Sequence, residues 1–362
     1  MRKLDPRLAD AFASEAPRAP LEAALPADVF LGPGPPEDRR RRAPPDLGKP
    51  GAAPTRGTRR RRASDDELLP RGAIIDKYCI EHVLGRGGFA VVYRANHLLL
   101  GTPVAIKLIR PRALARQPGL AGLLCQEARF AARINHPNVV RVHDVTHNDR
   151  ITYVVMEYID GRSLAEVIRL TGPLAPAEVV RVGLGVAAGL RVGLAQGLIH
   201  RDIKPANSLL PHQGEVKIVD LGLALGSAPG DEVQDETPAG QSVVVGTYGY
   251  MSPEQATDAR KVDFRADIYG LGATLYEAAT GTLPFPARDP ARWLLLQRQE
   301  VVPPPQSRRP GLPAPLCALL TAMLARQPEE RPSSYEALET ALRHALDATP
   351  AAANEDDTRT QP

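Results

Sequence analysis

His200-Arg201-Asp202-Ile203-Lys204-Pro205-Ala206-Asn207, with Asp220-Leu221-Gly222 beginning thirteen residues after Asn207, decides the reading of this 362-residue chain. The span offers a carboxylate able to take a proton, Asp202, and a cation two residues on, Lys204. It also offers two hard oxygen groups, Asn207 and Asp220, of the kind Mg²⁺ prefers. Together they are the equipment of phosphoryl transfer. A solvated Asp-bearing turn is the plainer explanation of such a run. What lies upstream, in order and at suitable distance, argues against it.

Upstream stands Gly85-Arg86-Gly87-Gly88-Phe89-Ala90-Val91-Val92, between β-rich runs at 78–84 and 91–93. No helix follows it, so it is neither a dinucleotide fingerprint nor a Walker loop. Glycines let backbone N–H groups approach phosphate oxygens with no Cβ in the way. A hairpin turn that binds nothing is the alternative. Next comes Val104-Ala105-Ile106-Lys107, where alternation puts Val104 and Ile106 on one face and Ala105 and Lys107 on the other. Residues 123–134 read as a helix with Leu124, Glu127, Ala128 and Ala131 on one face, which turns Glu127 inward.

Further β-rich runs fall at 103–109, 139–144 and 152–157. Helical patterns follow at 163–170, 177–196, 267–280, 291–297, 316–325 and 334–345. Strands first and helices later predict an α+β fold of two lobes, a small β-rich one and a larger helical one. The join is expected near Met156–Asp160, with a ligand cleft between the lobes.

Residues 1–73 are Pro-, Ala- and Arg-rich, and 1–72 hold only two aromatics, Phe12 and Phe30. Such a segment buries too little apolar surface to offset its ordering entropy, so a disordered arm is expected there, and a second disordered tail at 346–362. The folded domain is expected at 74–345, divided at 158/159. Residues 1–72 carry fifteen Lys/Arg against eleven Asp/Glu, a net +4, which leaves the remainder of the +3 chain at −1. A folded part so balanced argues against a nucleic-acid partner. Cys79, Cys125 and Cys317 show neither metal-ligand spacing nor a disulfide framework, and suit reduced thiols in a cytoplasmic protein. The apolar stretch 179–198 is broken by Arg181 and Arg191, so it reads as a core helix and not a membrane span. No signal peptide is evident.

From about Tyr78 to about Ala345 the chain resembles the eukaryotic-like (Hanks-type) serine/threonine protein kinases of bacteria. That resemblance implies a two-lobed protein kinase fold, ATP and Mg²⁺ as cofactors, and protein substrates with Ser or Thr acceptors. It implies that Gly85 and Gly87 cover the phosphates and that Lys107 meets them while paired with Glu127. Val92, Ala105 and Leu209 would sandwich the adenine, Met156 would guard the back of the pocket, and the backbone at Glu157 and Ile159 would bond the adenine edge. Asp202 would be the catalytic base, Lys204 would neutralise the transferred group, and Asn207 and Asp220 would hold metal. The Asp-x-Lys pair is the Ser/Thr form of the catalytic loop. Gly246–Glu254 resembles a peptide-docking platform, which small-molecule phosphotransferases lack. Thr247 would bond near Asp202 and Lys204, Glu254 would pair with Arg331, and Asp267 would brace the catalytic loop.

The chain departs from the family pattern at Ala90 (third loop glycine), Leu221 (usually Phe) and Ser252 (usually Ala). A nucleotide-binding scaffold without activity is the competing class. It would call for loss of Lys107, Asp202, Asn207 or Asp220, and all four are present. Arg201 suggests control by a phosphate at Thr237 or Ser242. Asp231, Glu232, Asp235 and Glu236 could supply a permanent anion instead, or simply form a solvated loop. In the arm, Arg39–Arg42 and Arg59–Arg62 precede Ser64, a candidate phosphosite, although Ala206 stands where arginine-reading kinases place Glu. Those arginines could instead hold an anionic surface or nucleic acid weakly, and a plainly solvated tail is the preferred reading. Neither the input signal nor the oligomeric state leaves a signature in the sequence.

Overall fold

The structure is a computed structural model in which residues 68–117, 119–148, 151–220, 248–257, 262–287 and 289–347 are described. Thr237, Ser242, Ser64, the arginine runs, Leu221, Thr247 and residues 348–362 lie outside them.

The N-terminal lobe is a six-stranded antiparallel sheet in the order β1-β2-β3-β4-β6-β5. Its strands are β1 (Ile74–Ile75), β2 (Tyr78–Arg86), β3 (Ala90–His97), β4 (Pro103–Ile109), β5 (Val142–His147) and β6 (Thr152–Glu157). Register sets Val92 opposite Lys107 and Ala105 opposite Met156, so residues expected around one ligand become sheet neighbours. β4 is buried along most of its length, because helix α2 (Leu120–Ala131) covers one face. Leu120, Leu124 and Ala128 of α2 pack on Ala105, Val154 and Met156. A short helix, α1 (Pro111–Arg116), leads into α2 and went unforeseen; Pro111 at its first position presets the helical φ.

The C-terminal lobe is helical. A three-stranded sheet, β7 (Gly161–Ser163), β8 (Ser208–Pro211) and β9 (Lys217–Ile218), lines its upper side. Its helices are α3 (Leu164–Thr171), α4 (Pro176–Ala195), α5 (Pro253–Thr257), α6 (Arg265–Thr280), α7 (Pro290–Gln299), α8 (Pro305–Arg308), α9 (Ala314–Met323) and α10 (Tyr335–Asp347). Ser163 and Glu166 form a reciprocal capping box that starts α3 as β7 ends. α4 and α6 make the centre, with Val179, Val186, Leu271 and Leu275 fully buried. α4 carries Gly183 and Gly189 because neighbours press on it. An added Cβ would stand 2.8 Å from Leu275 Cδ1 at the first and 2.8 Å from Ile218 Cδ1 at the second.

The expected lobes and their order are present, with shifts at element ends. α2 begins and ends three residues before the predicted 123–134, since Arg133 and Ile134 leave the helix in tight turns, their N–H groups bonded back to the Phe130 and Ala131 carbonyls. β5 is not 139–144 but Val142–His147, because Val139 and Val140 pair with Ile218 of β9. Order begins before Ile74: Leu69 N–H donates to the Tyr93 hydroxyl (3.1 Å) and Gly72 N–H to the Ile80 carbonyl (2.8 Å).

The link from α2 to β5 is stitched into the lower lobe. Val140 N–H donates to the Ile218 carbonyl (2.9 Å) and Ile218 N–H to the Asn138 carbonyl (2.8 Å). Asn138 Nδ2 donates to the Val216 carbonyl (2.8 Å).

Candidate active site

Lys107 on β4 stands between two carboxylates from different parts of the chain. Its Nζ lies 2.9 Å from Asp220 Oδ1 and 3.7 Å from Glu127 Oε1 on α2. Burial alone would lower the Lys107 pKa, but the two anions outweigh it and the ammonium is held well above its ordinary value. The Asp220 carboxyl, pushed up by burial, is pulled below its ordinary value by Lys107. Glu127, farther from the cation, is left raised by its burial. The cluster thus sets the Lys107 ammonium between two carboxylates, with Asp220 the nearer.

Around it, Met156 is buried beside Leu124, Ala128 and Val154, at the back of the same cavity that Lys107, Glu127 and Asp220 line. Val92 packs half-buried on this cluster from β3 and Ala105 lies within it. Leu209 comes from β8 in the other lobe, opposite Ser163 and Lys217. Glu157 ends β6, and Ile159 lies half-buried in the extended link to β7. Gly85 lies near the end of β2 opposite Val92, and Gly87 in the β2–β3 turn, closed by Gly87 N–H donating to the Ala90 carbonyl (2.9 Å). Neither glycine has a positive φ. An added Cβ would meet nothing within 4 Å at Gly85 and only the Ala90 oxygen at 3.6 Å at Gly87. The turn itself does not demand glycine, which favours a purpose on its open side.

Asp202 lies on the loop after α4. Its carboxylate accepts from Lys204 Nζ at 3.0 and 2.8 Å and from Asn207 Nδ2 at 2.9 Å. Asn207 Nδ2 also donates to the Asp202 carbonyl (2.9 Å). Both partners only accept, so the amide nitrogen must face Asp202, and Asn207 Oδ1 is directed elsewhere. Val219 N–H donates to the Asn207 carbonyl (2.9 Å), which couples the backbone before Asp220 to that of Asn207. An amide oxygen and an ionised carboxylate so linked fit a hard divalent cation such as Mg²⁺.

The loop is held from below by Asp267 of α6. Its buried carboxylate accepts from the N–H groups of His200 (2.8 Å) and Arg201 (2.6 Å). Arg201 and Asp220 are non-glycine residues in the left-handed region, at φ 64° and 56°. Such conformations cost about 1 kcal/mol or more and persist where surrounding bonds enforce them. The expected pair of Glu254 with Arg331 is bidentate, at 2.6 and 2.9 Å.

Three contacts around the site were missed in the sequence. The Glu157 carboxylate accepts from Arg141 N–H (2.8 Å) and from Lys217 Nζ (2.8 Å), tying the inter-lobe link to β9. The signal was present in Val216-Lys217-Ile218, where alternation turns Lys217 away from its apolar neighbours. The Tyr335 hydroxyl donates to Asp267 (3.3 Å), a contact between distant helices that no local pattern reveals.

The profile of the protein kinase domain family matches residues 78–344. Serine/threonine-protein kinase PknB of Mycobacterium tuberculosis is 37% identical over 260 residues, which cover 71% of this chain and 41% of that protein. Serine/threonine-protein kinase PknH of Mycobacterium bovis is 33% identical over 283 residues, 78% of this chain and 46% of that one. This chain thus spans under half the length of these relatives. Among solved structures, the Mycobacterium tuberculosis PknI kinase domain superposes with a TM-score of 0.59 at 26% identity, covering 77% of this chain and all of that one.

Proposed function

The chain belongs to the protein kinase family, among the Hanks-type serine/threonine kinases of bacteria, and on that premise we propose what it does. It transfers the γ-phosphoryl group of ATP to serine or threonine hydroxyls of proteins, itself included, in bacterial signalling. The observation that carries the proposal is the Lys107 ammonium held between Glu127 and Asp220, beside an Asp202 already hydrogen-bonded to Lys204 and Asn207.

The residues divide the work by position. The Gly85–Gly88 turn covers the phosphates, Lys107 bonds the α and β phosphates, and Glu127 keeps Lys107 in place. Val92, Ala105 and Leu209 enclose the adenine, with Met156 behind it and the backbone of Glu157 and Ile159 along its edge. Members of the family use ATP with Mg²⁺; when bound, the metal supplies neutralising charge at the phosphate oxygens. Asn207 Oδ1 and the Asp220 carboxylate would hold it. Asp202 orients the acceptor hydroxyl and takes its proton. The hydroxyl oxygen bonds to γ-phosphorus as the bond to the β–γ bridging oxygen breaks and ADP departs. Lys204, within 3.0 Å of both Asp202 oxygens, is placed to offset charge on the phosphoryl group in flight.

Among the described residues no helix is long and apolar enough to cross a membrane. We place the kinase domain in the cytoplasm, where ATP is available. The test is incubation of purified protein with Mg²⁺ and γ-labelled ATP, beside Asp202→Asn. Label on Ser or Thr is expected for the native protein, falling ~10²–10⁴-fold in the variant. Absence of label on itself and on a generic protein substrate, with ATP still bound, would favour a nucleotide-dependent scaffold.

A further inference from the structure

Arg201 leads the chain into Asp202 through a left-handed conformation, at φ 64°. Its N–H is fixed by Asp267 at 2.6 Å. Its carbonyl accepts at 2.8 Å from Nε2 of Gln255, a residue of α5 fifty-four positions away that directly follows the Gly246–Glu254 stretch. The other end of that carboxamide is engaged as well. Gln255 Oε1 accepts from Ser252 N–H and from Ser252 Oγ, both at 3.1 Å, and Gln255 N–H returns to Ser252 Oγ at 3.4 Å. Ser252 is fully buried. The backbone N–H of Ser252 can only donate, so the carboxamide oxygen must face Ser252 and its NH₂ the Arg201 carbonyl.

We infer that Gln255 is a positioning residue for phosphoryl transfer, and that Ser252, one of the chain's departures from the family pattern, sets its orientation. The inference rests on Asp202 being the proton acceptor. Asp267 holds the front of Arg201 and Gln255 its back, and between them they enforce a backbone conformation that a non-glycine residue otherwise avoids. The Arg201 carbonyl belongs to the peptide unit shared with Asp202, so its rotation would swing the Asp202 carboxylate. The bond also makes the catalytic loop depend on the end of the platform being in place. Nucleotide binding should not depend on it, because Lys107, Glu127 and Asp220 are held by other elements.

The test compares the full chain with Gln255→Met, which keeps the side-chain length without a donor, and with Ser252→Ala. Turnover on a generic protein substrate, KM for ATP, affinity for a fluorescent ATP analogue and deuterium uptake across 200–204 are measured. We expect kcat to fall ~10-fold in Gln255→Met and ~3-fold in Ser252→Ala, with KM and nucleotide affinity within ~2-fold of native. Uptake at 200–204 should quicken in both. A Gln255→Met protein whose kcat and loop uptake match the native chain overturns the inference. So does an equal loss of nucleotide affinity, which would mark general damage. If the native chain shows no transfer at all, the kinase assignment fails instead, and unchanged uptake at 200–204 then overturns the contact separately. Should Gln255→Met not fold, the same comparisons on Ser252→Ala decide.

Discussion

Replacing Glu254 with alanine should cost the kinase domain about 3–5 kcal/mol, the usual price of stranding a buried charge. Arg331 is the stranded partner, and its side chain is wholly inaccessible to solvent. All five of its N–H groups are engaged: Nε with the Ala325 carbonyl, Nη1 with Glu254 and the Arg265 carbonyl, Nη2 with Glu254 and the Arg326 carbonyl. The substitution removes two of the five, both charge-assisted, and each is worth about 1.5–3 kcal/mol. That sum agrees with the cost of breaking a buried pair. Arg331→Met should be worse, because it also releases three carbonyls, while the double replacement should recover part of the loss. Urea unfolding followed by tryptophan fluorescence would measure it, and the thermal midpoint should drop by roughly 5–10 °C. The pH dependence adds a second check. Burial alone would raise the Glu254 carboxyl, but Arg331 outweighs it and holds the folded pKa below the ordinary value. The pair's stabilisation is therefore present above about pH 4.3, the unfolded value, and is lost as pH falls through the folded one. Glu254→Gln should lack that acid-side loss. A Glu254→Ala protein within about 1 kcal/mol of native would refute the assignment of this pair as a structural support.

Lys217→Met should remove one of the two donors to the Glu157 carboxylate and raise KM for ATP ~3–5-fold with kcat nearly unchanged, since about 1 kcal/mol of positioning is at stake; an unaltered KM would show that the contact does not set the inter-lobe link. Gly161→Ala should destabilise by about 1–3 kcal/mol, because the new Cβ would collide with the Leu210 carbonyl and stand 2.6 Å from Pro211 Cα, where only backbone could yield; a native unfolding midpoint would contradict this. Burial raises the Cys317 thiol above its ordinary pKa, so iodoacetamide at neutral pH should label it far more slowly in the folded protein than in urea, and equal rates would be inconsistent with its burial.

What the sequence disclosed and what it hid divide along physical lines. Lys107, Asp202, Asn207 and Asp220 were legible because their chemistry is local and their spacing is short. β4 was placed at its observed bounds because its β-branched run is bracketed by a turn and a proline. β5 was misplaced because Val139 and Val140 have strand composition, but Val139 bridges to Ile218 and Val140 N–H bonds its carbonyl, in β9 some eighty residues on. α1 and α5 are too short for periodicity to register. Glu157 was read only through its backbone. That its carboxylate joins Arg141 to Lys217 is a fact of tertiary approach. Ser252 was read only as a departure from the usual Ala, and the bond of its hydroxyl with Gln255 left no mark in the sequence.

The stitching of Asn138 and Val140 into β9 gives α2 the mechanics of a lever. The foot of the helix, by way of 132–140, is fastened to the lower lobe, while its length leans on the upper sheet. Glu127 lies one turn above that foot, roughly 6 Å along the axis. Were the lobes to tilt about that fastening, Lys107 would travel with the sheet while Glu127, near the foot, would move less. Their separation, 3.7 Å in this conformation, therefore works as a gauge of how far the jaws are open.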